Sequence, residues 1–547
     1  MRISMKEIIK EKVKEAVKEL NIETDFLEKA TFEKPKREEY GDFATNVAFI
    51  LAKYLKEKPT SIASRLSSIL SKFPEFEKVE VVNGFINFFL SKDFYIKLLK
   101  KILMEDFYIS NIGSGEKILL EYVSANPTGP LHIGHGRGAV VGDVLYKIMS
   151  LTGFKPDREF YINDAGRQIK LLGESIYARM MELSGKDYQF PEDGYKGDYI
   201  INIAKELLIE KPEILELEEE KAIETASSYG REKLLKRIKE DLEMLKVSFD
   251  TWFSEKKLYE NGKVEEVITL LREKGLVYEK EGALWLRTTT YGDDKDRVLR
   301  RSNGEYTYFA SDIAYHYDKI ARGYERAIDI WGADHHGYIG RMKAAVQALG
   351  KPENWLEVIL IQLVKLYQGG KEVKMSKRSG SFITLRELIE EVGADAVRFF
   401  FLLKRHDTPL DFDLDLALSK KSENPVYYVQ YAHARLCSII DKAKERNIEP
   451  DFEKIEMIST KDEFKLISEC YRLRSELQSA ALKREPHRLT YYLMDLSSAF
   501  HKFYNKHRVL DRENKALSSA RLLLVEAVRK TIKAGLNILN VSTPRRM

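Results

Sequence analysis

Two histidines three residues apart, His132 and His135, follow the apolar run KILLEYV inside the stretch LEYVSANPTGPLHIGHGRGAVVGD. On the first turn of a helix this spacing points both imidazoles the same way, with Gly134 between them. A strand, a turn of small residues, Gly and Pro, and a new helix start is the order by which an α/β sheet turns backbone N–H groups toward a phosphate. Taken alone, a histidine at a helix start also serves as a surface or capping residue. More than 200 residues downstream, YQGGKEVKMSKRSGSFITL carries Lys374 and Lys377, bracketed by Gly369, Gly370 and Gly380. That spacing lets both ammonium groups face one ligand from a loop. The turn is read as a nucleotide site.

The elements that must position these groups can be taken in order. From Lys117 apolar strand runs alternate with helical runs: KILLEYV, the histidine turn, AVVGDVLYKIMSLTG with its glycine stop, then REFYIND. This is a βαβ unit, whose crossover is right-handed and whose ligand lies at the carboxyl ends of the strands. Between about Asn163 and Trp285 the chain reads as helical and highly charged, which predicts an insertion between two halves of a sheet. The sheet resumes with EYTYFASDIAYHYDKI leading into AIDIWGADHHG, and later VILIQLVKL. The first ~110 residues predict a small α+β module, opened by the helix MKEIIKEKVKEAVKEL and containing the alternating runs VEVVNGFINFFL. From about Ser422 the pattern is almost wholly helical.

A chain of 547 residues is too long for one core, and 44% hydrophobic with 32% charged residues describes a soluble globular protein. No apolar run approaches the ~20 residues needed to cross a bilayer, so no membrane partner and a cytoplasmic location are expected. Cys437 and Cys470 lie 33 residues apart without a CxxC or a nearby histidine array, which excludes a cysteine zinc site. No metal site built by the protein is expected. The net charge of +4 is unevenly spread, because Tyr471 to Met547 holds 16 Lys and Arg against 6 Asp and Glu. Such an excess suits a polyanion, and equally the solvated face of a helical bundle. The first 110 residues, with 20 basic against 18 acidic, declare no partner by charge.

HIGH at 132–135 and KMSK at 374–377, in this order on an α/β background, resemble the paired motifs of the class I aminoacyl-tRNA synthetases. EYVSANPTGPLHIGHGRG, REFYINDAGRQI, YGDFATNVAFILAK, WGADHHGYIGR, DFDLDLA and the PRRM ending resemble the arginyl-tRNA synthetases in particular, over nearly the whole chain. The resemblance implies a ligase: ATP and L-arginine give arginyl-adenylate and pyrophosphate, and the arginyl group then moves to the 3′-terminal adenosine of its tRNA. Mg²⁺ is expected to share the triphosphate charge, and the chain to act as a monomer. The implied fold is α/β, with a Rossmann-like parallel-sheet catalytic domain over 113–370, a helical insertion at about 170–285 and an N-terminal α+β module over 1–112 that contacts tRNA. Residues 371–421 would hold the lysine loop and a stem contact, and 422–547 an all-α anticodon-binding bundle.

By the same resemblance His132, His135, Lys374 and Lys377 are the catalytic groups. They meet the negative charge that spreads over the phosphate oxygens in the transition state. Gly134 and Met375 complete the ATP contacts, with Asp334 and His336 on the ribose or adenine. Arginine carries a planar fork of donors that wants carboxylates, and the family's counterparts of Glu121 and Asp312 hold it. Tyr308 lies four residues before Asp312, on the same face if that segment is helical, while Ser124 and Asn126 reach the α-amino and carboxylate groups. Without the resemblance, Glu121 reads as a strand-end charge paired with a structural Lys or Arg, Asp312 as a helix cap, and Asp334 with His336 as a structural hydrogen bond. Gln168 matches a family motif with no assigned role. Arg378 stands where many class I enzymes have Ser, and Lys371 precedes the motif, so the division of work among Lys371, Lys374 and Lys377 stays open. Of Tyr491, Tyr492, Phe500, Phe503 and Tyr504 in the basic tail, one or two are expected to stack on anticodon bases and the rest to be core.

Overall fold

The computed structural model describes residues 4–35, 37–373 and 383–547. Its centre is a parallel sheet of five strands: β1 (Lys117–Tyr122), β2 (Lys155–Ile162), β3 (Thr251–Ser254), β4 (Arg326–Gly332) and β5 (Leu356–Ile361). Their spatial order is β5-β4-β1-β2-β3. β1 is buried along almost its whole length, which is why KILLEY reads as a continuous apolar run. The strand order reverses at β1, and a crevice forms at the carboxyl ends of strands where such a reversal occurs. Helix α1 (Ile133–Leu151) crosses from β1 to β2, α2 (Arg167–Leu183) and α3 (Glu219–Met244) lie between β2 and β3, and α4 (Tyr308–Ala321) leads into β4.

Several elements depart from the sequence reading. The run TWFS is strand β3 of the main sheet, inside the stretch read as a helical insertion; four residues between charged helices are too few to display a period. The same stretch also holds strands Val277–Lys280 and Ala283–Leu286, which form an antiparallel sheet with Arg297–Arg300. FASDIAYHYDKI, read as part of the resuming sheet, is helix α4. VILIQLVKL divides between β5 and a strand, Val364–Gln368, of a separate three-stranded sheet.

At the N-terminus four antiparallel strands form the module's sheet, with VEVVNGFINFFL as its hairpin, Val82 opposite Phe85. The helix Lys92–Met104 leaves this module and packs on the C-terminal bundle, whose main helices are Pro425–Glu445, Lys461–Tyr471, Leu473–Lys483, Arg488–Lys506 and Lys515–Ile538. Along that seam the Tyr95 ring stacks on Phe464 at 4.7 Å, and buried Arg474 donates to the Phe107 carbonyl at 2.7 Å. Among the described residues no helix is long and apolar enough to cross a membrane.

Candidate active site

β1 ends in two consecutive non-glycine residues with positive φ, Val123 (69°) and Ser124 (39°). Such backbone costs of order 1–3 kcal/mol per residue and persists only where neighbours hold it. Here the Ser124 hydroxyl donates to Glu121 Oε1 at 2.9 Å and accepts from the Tyr161 N–H at 3.1 Å, tying the ends of β1 and β2 together. Further on, His132 is the N-cap of α1. Its Nδ1 accepts from the N–H groups of Gly134 (3.1 Å) and His135 (3.4 Å), and His135 Nδ1 accepts from the His132 N–H at 3.3 Å. The rings stack with centroids 3.6 Å apart. With Nδ1 an acceptor, each neutral ring carries its proton on Nε2, beside the partial positive charge of the helix N-terminus. Capping and donation to an anion are therefore compatible duties of one side chain. A Cβ at Gly134 would come within 3.0 Å of His132 Cε1, so glycine lets that ring lie over the turn.

At the amino-acid end, Glu121 sits in register with Asp329 of β4 on one side and Glu159 of β2 on the other. Helix α4 supplies the partners for this row. Lys319 Nζ lies 2.6 Å from Glu121 Oε2 and 2.8 Å from Asp329 Oδ1, and His316 Nε2 lies 2.9 Å from Asp329 Oδ2. Tyr315 donates to Glu159 at 2.6 Å, and Arg322, which closes α4, reaches both Glu159 oxygens at 2.7 and 2.8 Å. Buried charge is tolerable when paired in this way. Against its burial, Lys319 and the His316 hydrogen bond hold Asp329 at about 2. Burial raises Glu121 above the ordinary carboxylate range while Lys319 pulls it back.

For a second acidic group no ion pair is formed among the described residues. Asp312, on the first turns of α4, accepts a hydrogen bond from the Tyr338 hydroxyl, and burial raises its carboxyl. Glu255, immediately after β3 and 2% exposed, is pushed up to about 7 by burial; Ser311 pulls it down, while Asp312 and Asp164 raise it further. In the orientation that satisfies both its ends, the Asn163 amide donates to Glu255 Oε2 at 2.9 Å. The buried Tyr161 hydroxyl lies in the field of Glu255 and Asp312. Tyr308 stands one turn before Asp312 and is half exposed. Asn126 donates to Gln168 Oε1 at 2.6 Å, which supplies the role that sequence left blank for Gln168. Asp334 and His336 are exposed on the single turn Ala333–Tyr338 directly after β4.

Lys374, Met375 and Lys377 lie outside the described residues. The residues on either side of that motif are paired. Val373 ends a strand paired with Leu366, and exposed Lys371 begins it. On the far side Thr384 bridges to His132, and the Leu385 N–H donates to the Leu131 carbonyl at 2.8 Å. A Cβ on Gly136 would lie 2.5 Å from Leu385 Cδ1, so a glycine of α1 is what admits the helix that follows the loop.

Residues 98–404 match the family model described as tRNA synthetases class I (R), catalytic domain. Residues 6–90 match the arginyl tRNA synthetase N terminal domain, and 429–547 the DALR anticodon binding domain. The chain is 50% identical to the arginine–tRNA ligase of Aquifex aeolicus (strain VF5), covering 99% of this chain and 100% of that one. To the arginine–tRNA ligase of Bacillus subtilis (strain 168) it is 46% identical over 99% of each. The chain belongs to the arginyl-tRNA synthetase family. In fold, the Thermus thermophilus arginyl-tRNA synthetase resembles it with a TM-score of 0.76 at 24% identity, covering 99% of this chain and 100% of that one.

Within this arginyl-tRNA synthetase two site groups escaped the sequence reading. Glu255 was one glutamate among many in a charged stretch; its only signal was position, directly after the short aromatic run TWFS, as Glu121 falls near the end of KILLEYV. Lys319 carries no signal in sequence, since nothing in YHYDKI sets this lysine apart from the chain's many others. In the anticodon-binding bundle, Tyr492, Phe500 and Phe503 are buried core, Tyr491 is exposed and Tyr504 half-buried, and further aromatic groups join them at the surface. Tyr427 and Tyr431 stack at 6.2 Å, beside Tyr428 and His501, with Arg435 4.5 Å over the Tyr504 ring.

Proposed function

We propose that this chain is an arginine–tRNA ligase that activates L-arginine with ATP and transfers it to the 3′-terminal adenosine of its tRNA, working as a monomer in the cytoplasm. One observation carries the choice of amino acid: Asp312 and Glu255, two carboxyls raised by burial, lie in one another's field with the Tyr161 hydroxyl beside them. A guanidinium supplies the positive charge and the directed N–H donors that suit two such carboxyls. Tyr308 covers the same end. Each oxygen of Glu121 already accepts one bond, from Ser124 or Lys319, so Glu121 suits a single contact with the α-ammonium group better than a two-pronged fork. Asn126, steadied by Gln168, faces the amino acid beside it.

The ATP phosphates then lie at the N-terminus of α1, beside His132 and His135, where Thr384 and Leu385 also approach. As the arginine carboxylate attacks the α-phosphate and pyrophosphate leaves, these imidazoles with Lys374 and Lys377 meet the spreading charge. Asp334 and His336, exposed at the end of β4, take the ribose or adenine, and Gly134 and Met375 border the same nucleotide. Holding both reactants on one strand-to-helix turn is itself part of the rate enhancement. Mg²⁺ comes with the triphosphate. The described groups around the α1 N-terminus are imidazoles and N–H donors rather than carboxylates, which does not fit a metal ion held by the protein there.

For tRNA, the groove of Lys420, Lys421, Tyr427, Tyr428, Tyr431 and Arg435 offers rings for unstacked bases and charge for the backbone. Pyrophosphate exchange with each of the twenty amino acids in the presence of tRNA, followed by charging of purified arginine tRNA, tests the whole reading. Exchange and charging with arginine alone are expected, and exchange driven by another amino acid would overturn it.

A further inference from the structure

Three carboxylates in one row of adjacent parallel strands would repel one another in a buried sheet, yet Asp329, Glu121 and Glu159 are at most 7% exposed. Helix α4 resolves this unevenly. Glu159 has its own guanidinium, Arg322, whereas Glu121 and Asp329 share the ammonium of Lys319. Lys319 is wholly buried, with its charge 4.3 Å over the Tyr315 ring, and so cannot itself meet a substrate. Of the three acids only Glu121 continues into the site, through Ser124.

We propose that Lys319 is a positioning residue for amino-acid activation: from the buried side it holds Glu121 Oε2, so that the carboxylate, braced on its other oxygen by Ser124, is fixed toward the amino acid. The proposal rests on the reading that Glu121 contacts the arginine α-ammonium. Facing Glu121 are Lys319, His316 and Tyr315 from α4, Asp329 from β4, and Glu159 and Tyr161 from β2. Lys319 is the closest cation in that set. Without it, burial and the neighbouring Asp329 push the Glu121 carboxyl further up with no ammonium to oppose them, which weakens its attraction for a cationic substrate.

Lys319→Gln should therefore raise the arginine KM about tenfold or more at pH 7, the range expected for a lost charged hydrogen bond. The ATP KM should stay within about twofold. Its kcat/KM for arginine should gain a rise with pH whose midpoint lies about one unit or more above that of the parent enzyme. Lys319→Arg, which keeps the charge, should retain the parent pH profile. An unchanged arginine KM and profile in Lys319→Gln would overturn the proposal. If that variant does not fold, Lys319→Gln with Asp329→Asn removes one charge of each sign and is measured by the same profile: a raised arginine KM with a shifted midpoint supports the role of Lys319, and parent-like values overturn it. Glu121→Gln separates the two levels. An unchanged arginine KM there removes Glu121 from the substrate site, whereas a raised KM there with a silent Lys319→Gln removes only the role of Lys319.

Discussion

Asp312 and Glu255 are two acids close enough to raise one another, and burial raises both above the ordinary carboxylate range. Asp312→Asn keeps the shape and the Tyr338 contact but removes the charge. We expect the arginine KM to rise ~10- to 100-fold, the loss of one charged hydrogen-bonded partner, with the ATP KM nearly unchanged; steady-state kinetics in each substrate would show it. The pH dependence has a definite sign. Burial raises Glu255 to about 7 and also raises Asp312, so both favour the protonated form on the acid side. Arginine binds the ionised pair, so kcat/KM for arginine should climb with pH through about 7 and level off above it, and Glu255→Gln should flatten that climb at a lower plateau. Residue types and family wording made Glu121 and Asp312 legible in the sequence. What they could not convey was environment. Glu121 proves to have the structural lysine that its bare residue reading anticipated, and Glu255 differs from its many neighbouring glutamates only in being buried.

At the scale of elements, α1 and the helix Leu385–Val392 behave as one clamp, because the Leu131 and Thr384 contacts join the histidine turn to the end of the lysine loop. α1 could be located from sequence by its small-residue turn and glycine stop. β3 is too short, at four residues, to show a period, and the aromatics of α4 leave its type open in the sequence. The closeness of the clamp depends on Gly136, where even a methyl group would press on Leu385 and on Phe401. Gly136→Val should cost ~1–3 kcal/mol of stability through overpacking. It should also slow adenylate formation by displacing the loop's anchor, with the arginine KM close to that of the parent; thermal melts and single-turnover exchange measure the two effects. Lys374→Ala or Lys377→Ala should slow the same step by two or more powers of ten, comparable to losing one transition-state donor at roughly 3 kcal/mol. A parent-like single-turnover rate would place the phosphate donors elsewhere.

Over the whole molecule the three parts are welded rather than strung together. Buried Arg398 donates to Asp143 of α1 at 2.5 Å and to the carbonyls of Leu539 at 2.6 Å and Leu245 at 2.8 Å, joining the catalytic core to the last helix of the bundle. Arg474 and the Tyr95–Phe464 stack join that bundle to the N-terminal module. Removing the bundle would strip these seams and confound lost RNA binding with lost folding, so point changes on the exposed groove are the sharper probe. Tyr431→Ala removes one partner of the Tyr427 stack, and base stacking on such a ring contributes about 1–3 kcal/mol. Arg435→Ala removes one backbone-neutralising charge, and the slope of log affinity against log salt should become shallower by roughly one unit. Nearby His501, held down at about 4 by burial and Arg435, stays neutral at working pH and adds no charge to that slope. Filter binding of arginine tRNA across a salt series would show both effects, while kcat for exchange at saturating tRNA should match the parent. Equal affinity and slope in both variants would move the anticodon contact off this face, toward the basic pocket of Lys442, Arg446, Lys506 and Arg508 on the same bundle.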